Sequence, residues 1–275
     1  MLHPWYKSWQ RTIFCLLLHP LNRKPHPQEA FFLFLKFINM STSKYKHLFF
    51  DLDRTLWDFD TNNKATFSEM HEKFQLVARG ISDPVTFYAN YQKINFALWE
   101  AYKKQTITKE VLNFKRFYDS LSLYQLDEPE LAREMGAYYI AASPRQTILY
   151  PGAIEMLDTL HKHYQMHIIT NGFEEVQFIK IENSGLGKYF NKIITSERAG
   201  FKKPDRRIFE FALNEAEANV SESIIIGDDP EADILGAQLI GMDQIWVKHP
   251  PLKPNKGKPT YEVGHLSDIL KILQA

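Results

Sequence analysis

The sequence predicts an α/β fold, a parallel sheet covered by helices, with an all-helical domain inserted after the first strand. Short apolar runs recur along the chain, and several end at an acid, a glycine or a threonine. Stretches with helical periodicity separate these runs, as expected for strands joined by crossover helices. The exception is the stretch from about residue 62 to 145, which contains helical patterns but no convincing strand.

Five apolar runs have the length and composition of strands that are buried on both faces of a sheet. They are Lys46–Phe50, Met166–Thr170, Lys192–Thr195, Ser223–Ile226 and Gln244–Val247. The stretches between them predict helices at Gly152–His163, Phe173–Asn183, Asp205–Ala218 and Pro230–Leu239. This alternation predicts a Rossmann-like core formed by residues 40–61 and 146–275.

Four helices are predicted in the inserted stretch, residues 62–145. They are Asn63–Leu76, Pro84–Tyr102, Lys109–Tyr118 and Pro129–Ala142. Aromatic residues recur in them at helical spacing, which indicates a core of their own. Since open α/β sheets bind ligands at the carboxyl ends of their strands, we expect this domain to form a cap over that edge.

The overall composition is that of a globular protein. The chain has 275 residues, 33 Lys and Arg against 33 Asp and Glu, and 44% hydrophobic residues. The absence of net charge argues against a nucleic-acid partner. The single cysteine, Cys15, excludes an intramolecular disulfide and favours a cytoplasmic location.

Residues 1–39 differ from the rest of the chain. Five bases and one acid, Glu29, give this segment a charge of +4, so the remaining residues carry −4. Its apolar runs are too short to span a membrane, and it lacks the small-residue cleavage site of a signal peptide. We expect an extension outside the fold, with translation starting at Met40. A targeting segment and a structural extension are the alternatives.

Two carboxylates, Asp51 and Asp53, follow the first predicted strand, and Thr55 completes a D-x-D-x-T pattern. Carboxylates this close repel each other unless a cation lies between them or one is protonated. Three more acids follow the fourth predicted strand: Asp228, Asp229 and Asp233. Five acids at one edge of a sheet need a hard divalent cation, and Mg²⁺ with oxygen ligands fits.

Two further stretches lie where the same edge is expected. Thr170, Asn171 and Gly172 end the second predicted strand with a hydroxyl group and a glycine turn. Lys203 precedes a predicted helix, where backbone N–H groups also favour anions. Taken alone, the first stretch is equally well explained as a turn, and the lysine as a solvated side chain.

Taken in order, these residues resemble the four motifs of the haloacid dehalogenase superfamily of aspartate-nucleophile phosphohydrolases. The resemblance covers roughly residues 45–250, and the helical insertion resembles the C1 cap of that family. Trp57, Asp58 and Phe59, together with Phe173 after the second motif, resemble the branch of pyrimidine-nucleotide 5′-nucleotidases. The matching motifs are Asp51-x-Asp53-x-Thr55, Thr170, Lys203 and Gly227-Asp228-x-x-x-x-Asp233.

The resemblance implies a Mg²⁺-dependent phosphomonoesterase that acts through an aspartyl-phosphate. Asp51 would attack phosphorus, and Asp53 would serve as general acid and then general base. Mg²⁺ would be held by Asp51, Asp228 and the backbone carbonyl of Asp53. The residues that would bind the phosphate are Thr170, Asn171, Gly172 and Lys203. The acids expected behind the metal ligands are Asp229 and Asp233.

The chain departs from the family pattern at three positions. Arg54 stands where Gly is commonest, Asp229 where Ser is common, and Arg206 where Pro often follows Lys-Pro-Asp. None of the three has a central catalytic role in the family. Arg54 is expected to alter the loop that enters the cap.

Three alternative functions remain open. A sugar phosphomutase has all four motifs, whereas a haloacid dehalogenase shares the nucleophile but needs neither Mg²⁺ nor the second aspartate. A receiver-like phospho-aspartate module would bind partners instead of catalysing a reaction. We expect a small phosphomonoester substrate, such as a nucleoside 5′-monophosphate, no nucleic-acid or membrane partner, and a monomer or weak dimer.

Two other clusters are interpreted as solvent-exposed. His161, His163 and His167 span a helix end and a strand start, so they would not share one face for a metal. Lys248–Pro259 is basic and rich in proline, which favours a surface loop over a phosphate site.

Overall fold

The computed structural model describes residues 43–249 and 257–273, and its centre is a parallel sheet of six strands. The strand order β3-β2-β1-β4-β5-β6 is that of doubly wound Rossmann sheets. The strands are β1 His47–Phe50, β2 Gln165–Thr170, β3 Lys192–Thr195, β4 Ser223–Gly227, β5 Asp243–Val247 and β6 Tyr261–Val263. The α/β prediction is confirmed, and so are the five predicted strands. Strand β6 was missed because it has only three residues, two of them exposed.

The two faces of the sheet bury alternate residues of each strand. In β1, Leu48 and Phe50 pack in one apolar cluster, while Phe49 packs in a second cluster on the opposite face. In β4, Ile224 and Ile225 divide in the same way. Successive side chains of a strand point to opposite faces, so a strand covered on both sides has to be apolar throughout. This explains why the strands lack a polar alternation in the sequence.

The stretch from residue 62 to 145 is mainly helical and contains no strand, as predicted. Four helices lie there: α1 Phe59–Lys73, α2 Pro84–Lys103, α3 Lys109–Ser122 and α4 Pro129–Ala142. They enclose an aromatic core in which the Phe67 ring lies 4.3 Å from Tyr91 and 6.2 Å from Phe117, between ring centroids. The helical spacing of the aromatics therefore reports packing inside this insertion. Its exact division from the sheet at residues 62 and 145 stays a prediction.

The other helices among the described residues lie around the sheet. They are α5 Ala153–Leu160, α6 Glu174–Asn183, α7 Ser196–Ala199, α8 Arg206–Glu215, α9 Gly236–Gln238 and α10 Asp268–Leu273. The predicted helix at Pro230–Leu239 divides in two, because residues Pro230–Leu235 form a π-helical turn that precedes α9. A π-helical turn is frequent at functional sites.

His167 is buried, whereas the sequence analysis interpreted its histidine cluster as solvent-exposed. Its side chain is buried inside β2, with an exposed fraction of 2%, and its ring stacks on Phe49. The interpretation of a solvated histidine cluster is therefore wrong for this residue. The predictions for residues 1–39 and 250–256 lie outside the described residues. Within the described ranges, no helix is both long enough and apolar enough to cross a membrane.

Candidate active site

Asp51 lies directly after β1, at the carboxyl edge of the sheet. Its backbone N–H donates to the carbonyl of Ile226 at 2.9 Å, which fixes the residue beside β4. Its carboxylate is buried, and one carboxylate oxygen accepts a hydrogen bond of 3.3 Å from the Thr55 hydroxyl. The D-x-D-x-T pattern thus forms a closed turn whose last residue orients its first.

Lys203 joins three separate segments of the chain. Its Nζ donates to Asp51 Oδ1 at 2.7 Å, to the carbonyl of Ile169 at 2.8 Å and to Asp233 Oδ1 at 2.6 Å. An ammonium group has three N–H donors, so these contacts use all of them. The Lys203 side chain is 2% exposed, which places the positive charge inside the protein.

Asp233 lies in the π-helical turn after β4 and accepts the third of these bonds. Its Oδ2 accepts from the backbone N–H of Asp229 at 3.0 Å. Gly227, the last residue of β4, has no side chain to interfere, since a Cβ there would lie 2.3 Å from Asp233 Oδ2. Glycine is therefore required for Asp233 to reach Lys203.

Asp228 and Asp229 are neighbours, but their carboxylates are placed differently. The Asp229 carboxylate accepts from the backbone N–H groups of Glu231 and Ala232, at 2.9 and 3.0 Å, and so caps the turn. The Asp228 carbonyl accepts from Trp246 Nε1 at 3.0 Å, which fixes its backbone. The side chain of Asp228 points into the cavity described below.

The five acids at this edge outnumber its two buried ammonium groups, those of Lys203 and Lys180. Burial, above all, raises the pKa of Asp51 to about 8; Lys203 opposes the shift, while Asp233 and Asp228 add to it. Burial would lower the pKa of Lys203, but the carboxylates of Asp233 and Asp51 outweigh it and raise that pKa. The site therefore favours additional positive charge.

Three of these acids could hold a divalent cation. Asp51, Asp228 and Asp233 each offer a carboxylate oxygen, and these oxygens lie within 4.8 Å of one another. All three donors are oxygens, which is the ligand type that Mg²⁺ prefers. The charge and chemistry of this donor set fit the ion that the sequence predicts.

Thr170, Asn171 and Gly172 occupy the same edge, at the end of β2. The Thr170 oxygen accepts from the Gly172 N–H at 3.1 Å. The Asn171 amide is paired twice with the backbone of Lys203, at 2.8 and 2.9 Å. Asn171 thus positions Lys203, while Thr170 and Gly172 line the cavity.

Asp53 is held by two residues that the sequence analysis did not single out. Its carboxylate accepts from Gln177 Nε2 at 2.9 Å and from Lys180 Nζ at 2.5 Å, both on α6. Gln177 and Lys180 are buried, three positions apart, and share the inner face of α6 with Ile181. The hydrophobic period of α6 does not reveal them, because Phe178 and Ile179 of the same helix are exposed while these polar residues are buried.

Arg54, one of the three departures from the family pattern, is held by contacts with the start of α1. Its φ is 66°, in the left-handed region where glycine is favoured. Its guanidinium is paired with Asp60 at 2.9 Å and lies 4.6 Å from the ring centroid of Phe59. Residues at the start of α1 thus hold the arginine in place.

One large cavity connects the acid cluster to the helical insertion. Its volume is about 860 Å³, and it is lined by Asp51 and Asp53 at the sheet edge. Helices α2–α4 contribute aromatic and polar side chains to the opposite wall, among them Tyr88, Phe96, Trp99 and Arg116. The insertion therefore encloses the space in front of the carboxylates.

Comparison with known proteins agrees with this geometry. The sequence model of the family of haloacid dehalogenase-like hydrolases matches residues 48–247 of this chain. The chain belongs to this family. It is accordingly a hydrolase of the haloacid dehalogenase superfamily, as the four sequence motifs predict, and the matched range includes the sheet edge and the helical insertion.

Three relatives are matched by this chain over nearly their full length. The chain is 30% identical to the pyrimidine 5′-nucleotidase YjjG of Escherichia coli, over 84% of this chain and 98% of that protein. It is 31% identical to the pyrimidine 5′-nucleotidase PynA of Streptococcus pneumoniae, over 83% and 95%. The crystal structure of the putative HAD-hydrolase YfnB from Bacillus subtilis, bound to magnesium, has a TM-score of 0.76 and 28% identity, over 84% of this chain and 100% of that chain.

Proposed function

We propose that this chain is a Mg²⁺-dependent phosphomonoester hydrolase that forms an aspartyl-phosphate on Asp51. The observation that carries the proposal is the buried contact of 2.7 Å between the Lys203 ammonium and the Asp51 carboxylate, at the edge that opens into the cavity. A carboxylate can attack an anionic phosphate only where positive charge offsets their repulsion. Lys203 supplies such charge beside the nucleophile.

Asp51 is the nucleophile in this proposal. Lys203 and Thr55 hold its two oxygens, so the carboxylate has a defined orientation. Its oxygen bonds to phosphorus while the bond from phosphorus to the leaving oxygen breaks. The Thr170 oxygen accepts a hydrogen bond from Gly172, so its O–H can donate to a phosphate oxygen.

Asp53 is the general acid and base. It gives a proton to the leaving oxygen in the first step and takes one from the attacking water in the second. The water cleaves the aspartyl-phosphate, which restores the Asp51 carboxylate and releases phosphate. Gln177 and Lys180 hold the Asp53 carboxylate at the wall of the same cavity.

The acid cluster would hold Mg²⁺ through Asp51, Asp228 and the backbone carbonyl of Asp53. When bound, the ion supplies positive charge that offsets the charges of carboxylate and phosphate. Asp233 positions Lys203 and the backbone of Asp229. These contacts keep the lysine and the turn after β4 in fixed places around the nucleophile.

The proposed substrate is a nucleoside 5′-monophosphate. Two relatives are named for pyrimidine 5′-nucleotidase activity. The cavity of about 860 Å³ has the size of a small-molecule site, and its aromatic side chains suit a planar ring. The leaving group would extend from Asp51 towards the helical insertion.

The nucleophile is tested with Asp51→Asn in an assay of 4-nitrophenyl phosphate hydrolysis with Mg²⁺. We expect turnover to fall by about a thousandfold or more, because an amide cannot form the aspartyl-phosphate. Asp119→Asn is the matched control, since Asp119 is paired with Lys115 on α3 and is not among the residues that line the cavity. Unchanged turnover in Asp51→Asn would contradict the assignment.

A substrate panel with Mg²⁺ separates the nucleotidase from its alternatives. It contains nucleoside monophosphates, sugar phosphates, FMN and a 2-haloacid. A strong preference for a sugar phosphate would argue against the nucleotidase. Transfer of phosphate to a second hydroxyl of the sugar would indicate a phosphomutase, and release of halide would indicate a dehalogenase.

A further inference from the structure

Arg116 is a buried cation in the helical insertion. Its side chain lies on α3 and is 2% exposed. Its Nη2 donates to Asn113 Oδ1 at 2.7 Å, and its guanidinium lies 4.4 Å from the ring centroid of Tyr139. Within the described ranges, no carboxylate pairs with it, and its Nε has no hydrogen-bond partner. The charge is thus removed from water without a counter-charge.

This arrangement is incomplete as a structural contact. A guanidinium stays charged in proteins, and a buried charge is costly unless it is paired and hydrogen-bonded. One neutral amide and one aromatic face compensate only part of that cost. Arg116 lines the cavity that also contains Asp51, so its side chain borders the space that a ligand would occupy.

Asn95 provides a second unsatisfied group in the same cavity. It lies on α2, and its Oδ1 is buried with no donor among the described residues. An amide oxygen accepts a hydrogen bond from an N–H and repels an anion. Arg116 offers a donor and Asn95 an acceptor, so the pair is complementary to a group that carries both kinds of atom.

We propose that Arg116 and Asn95 bind the leaving group, and that this group is a planar heterocycle with a carbonyl oxygen and an N–H on its edge. This inference rests on the proposed phosphomonoesterase function. The carbonyl oxygen accepts from Arg116, and the ring N–H donates to Asn95. Trp99 and Tyr88 line the same wall and offer faces for the ring. A uracil base has this combination of groups.

The test compares two substrates that differ only in the base. Uridine 5′-monophosphate and ribose 5-phosphate share the phosphate ester and the sugar. A third ester, 3-phosphoglycerate, has an anionic leaving group and tests whether Arg116 binds an anion instead. We expect Arg116→Met to lower kcat/KM for the uridine nucleotide by about thirtyfold or more and for ribose 5-phosphate by less than about threefold. Asn95→Leu is expected to act in the same direction by about tenfold.

Arg133→Met is the matched control. Arg133 is an exposed arginine of the same insertion that also lies over an aromatic ring, Phe114, at 5.2 Å, and pairs with Glu130. It is outside the cavity lining, so we expect both substrates to keep their rates. If Arg116→Met fails to fold by circular dichroism, Asn95→Leu carries the test.

Two results would overturn the inference while leaving the hydrolase proposal intact. One is an equal loss, or no loss, for both substrates in the Arg116 and Asn95 variants. The other is a wild-type preference for 3-phosphoglycerate that Arg116→Met removes, which would assign Arg116 to an anion. If the wild-type protein hydrolyses none of these esters or 4-nitrophenyl phosphate, the proposed function itself fails, and this inference with it.

Discussion

Lys180 donates a hydrogen bond of 2.5 Å to the Asp53 carboxylate, although 127 positions separate the two residues. The lysine is almost fully buried, with 4% of its side chain exposed, whereas 24% of the Asp53 side chain is exposed. The Lys180 ammonium also lies 4.0 Å from the ring centroid of Trp57, which is itself buried. The ion pair therefore holds Asp53 from the protein side and leaves its other side open to the cavity.

Replacing Lys180 with Met is expected to lower kcat by about ten- to a hundredfold, because Asp53 loses its fixed position for proton transfer. The KM should change by less than about threefold, since the Lys180 side chain is only 4% exposed and its ammonium is paired with Asp53. Steady-state kinetics with a nucleoside monophosphate measures both. Lys188→Met is the control, because Lys188 is an exposed lysine after α6. A rise in KM without a fall in kcat would show that Lys180 serves substrate binding.

Gly227→Ala tests how closely β4 must approach Asp233. The added Cβ would lie 2.3 Å from Asp233 Oδ2, so Asp233 must move and loses its contact with Lys203. We expect a destabilisation of about 1–3 kcal/mol and at least a tenfold loss of turnover. Chemical denaturation and phosphatase assays measure the two effects. Gly264→Ala is the control, because nothing lies within 4 Å of the added Cβ. Similar behaviour of the two variants would contradict this account.

His167 should make the fold sensitive to acid. Burial, with a smaller contribution from His47, lowers its pKa from 6.5 to about 4. Between pH 6.5 and about 4, the unfolded chain therefore binds a proton at this histidine more readily than the folded protein does. The contribution of His167 to the free energy of unfolding is fully present above pH 6.5 and is lost as the pH falls towards 4. We expect this residue to account for a loss of about 3 kcal/mol at pH 4.

The measurement for His167 is urea denaturation at a series of pH values between 4 and 7. His167→Gln removes the titrating group and should flatten the dependence of the unfolding free energy on pH. His163→Gln is the control, since His163 is exposed and lies just before β2. An equally steep dependence in wild type and His167→Gln would assign the acid sensitivity to other groups.

The residues of the site at the sheet edge could be predicted because they end or directly follow the strands in the sequence. Parallel strands end at one edge, so Asp51, Thr170 and Asp228 come together once the strands are placed. The strands themselves are apolar runs whose residues fill both faces of the sheet. Sequence patterns of this kind depend on local periodicity and on a simple rule of topology.

The groups around that edge could not be predicted in the same way. Gln177 and Lys180 resemble ordinary helix residues until α6 is packed against the Asp53 loop. Arg116 lies among aromatic residues that form a helical core, and its position in the cavity depends on how α2, α3 and α4 pack. Helix–helix packing geometry is not contained in the hydrophobic period, because several crossing angles suit the same stripe.

The three contacts of Lys203 also bear on how the protein folds. The lysine bonds to groups 152, 34 and 30 positions away in the chain. Long-range contacts of this kind form late, since distant segments must lose much conformational freedom before they meet. Helices α1–α4 can form through local contacts, whereas Lys203 meets Asp51 only when β1, β2 and the turn after β4 are in place. Regain of activity after dilution from denaturant should therefore lag behind regain of helical circular dichroism.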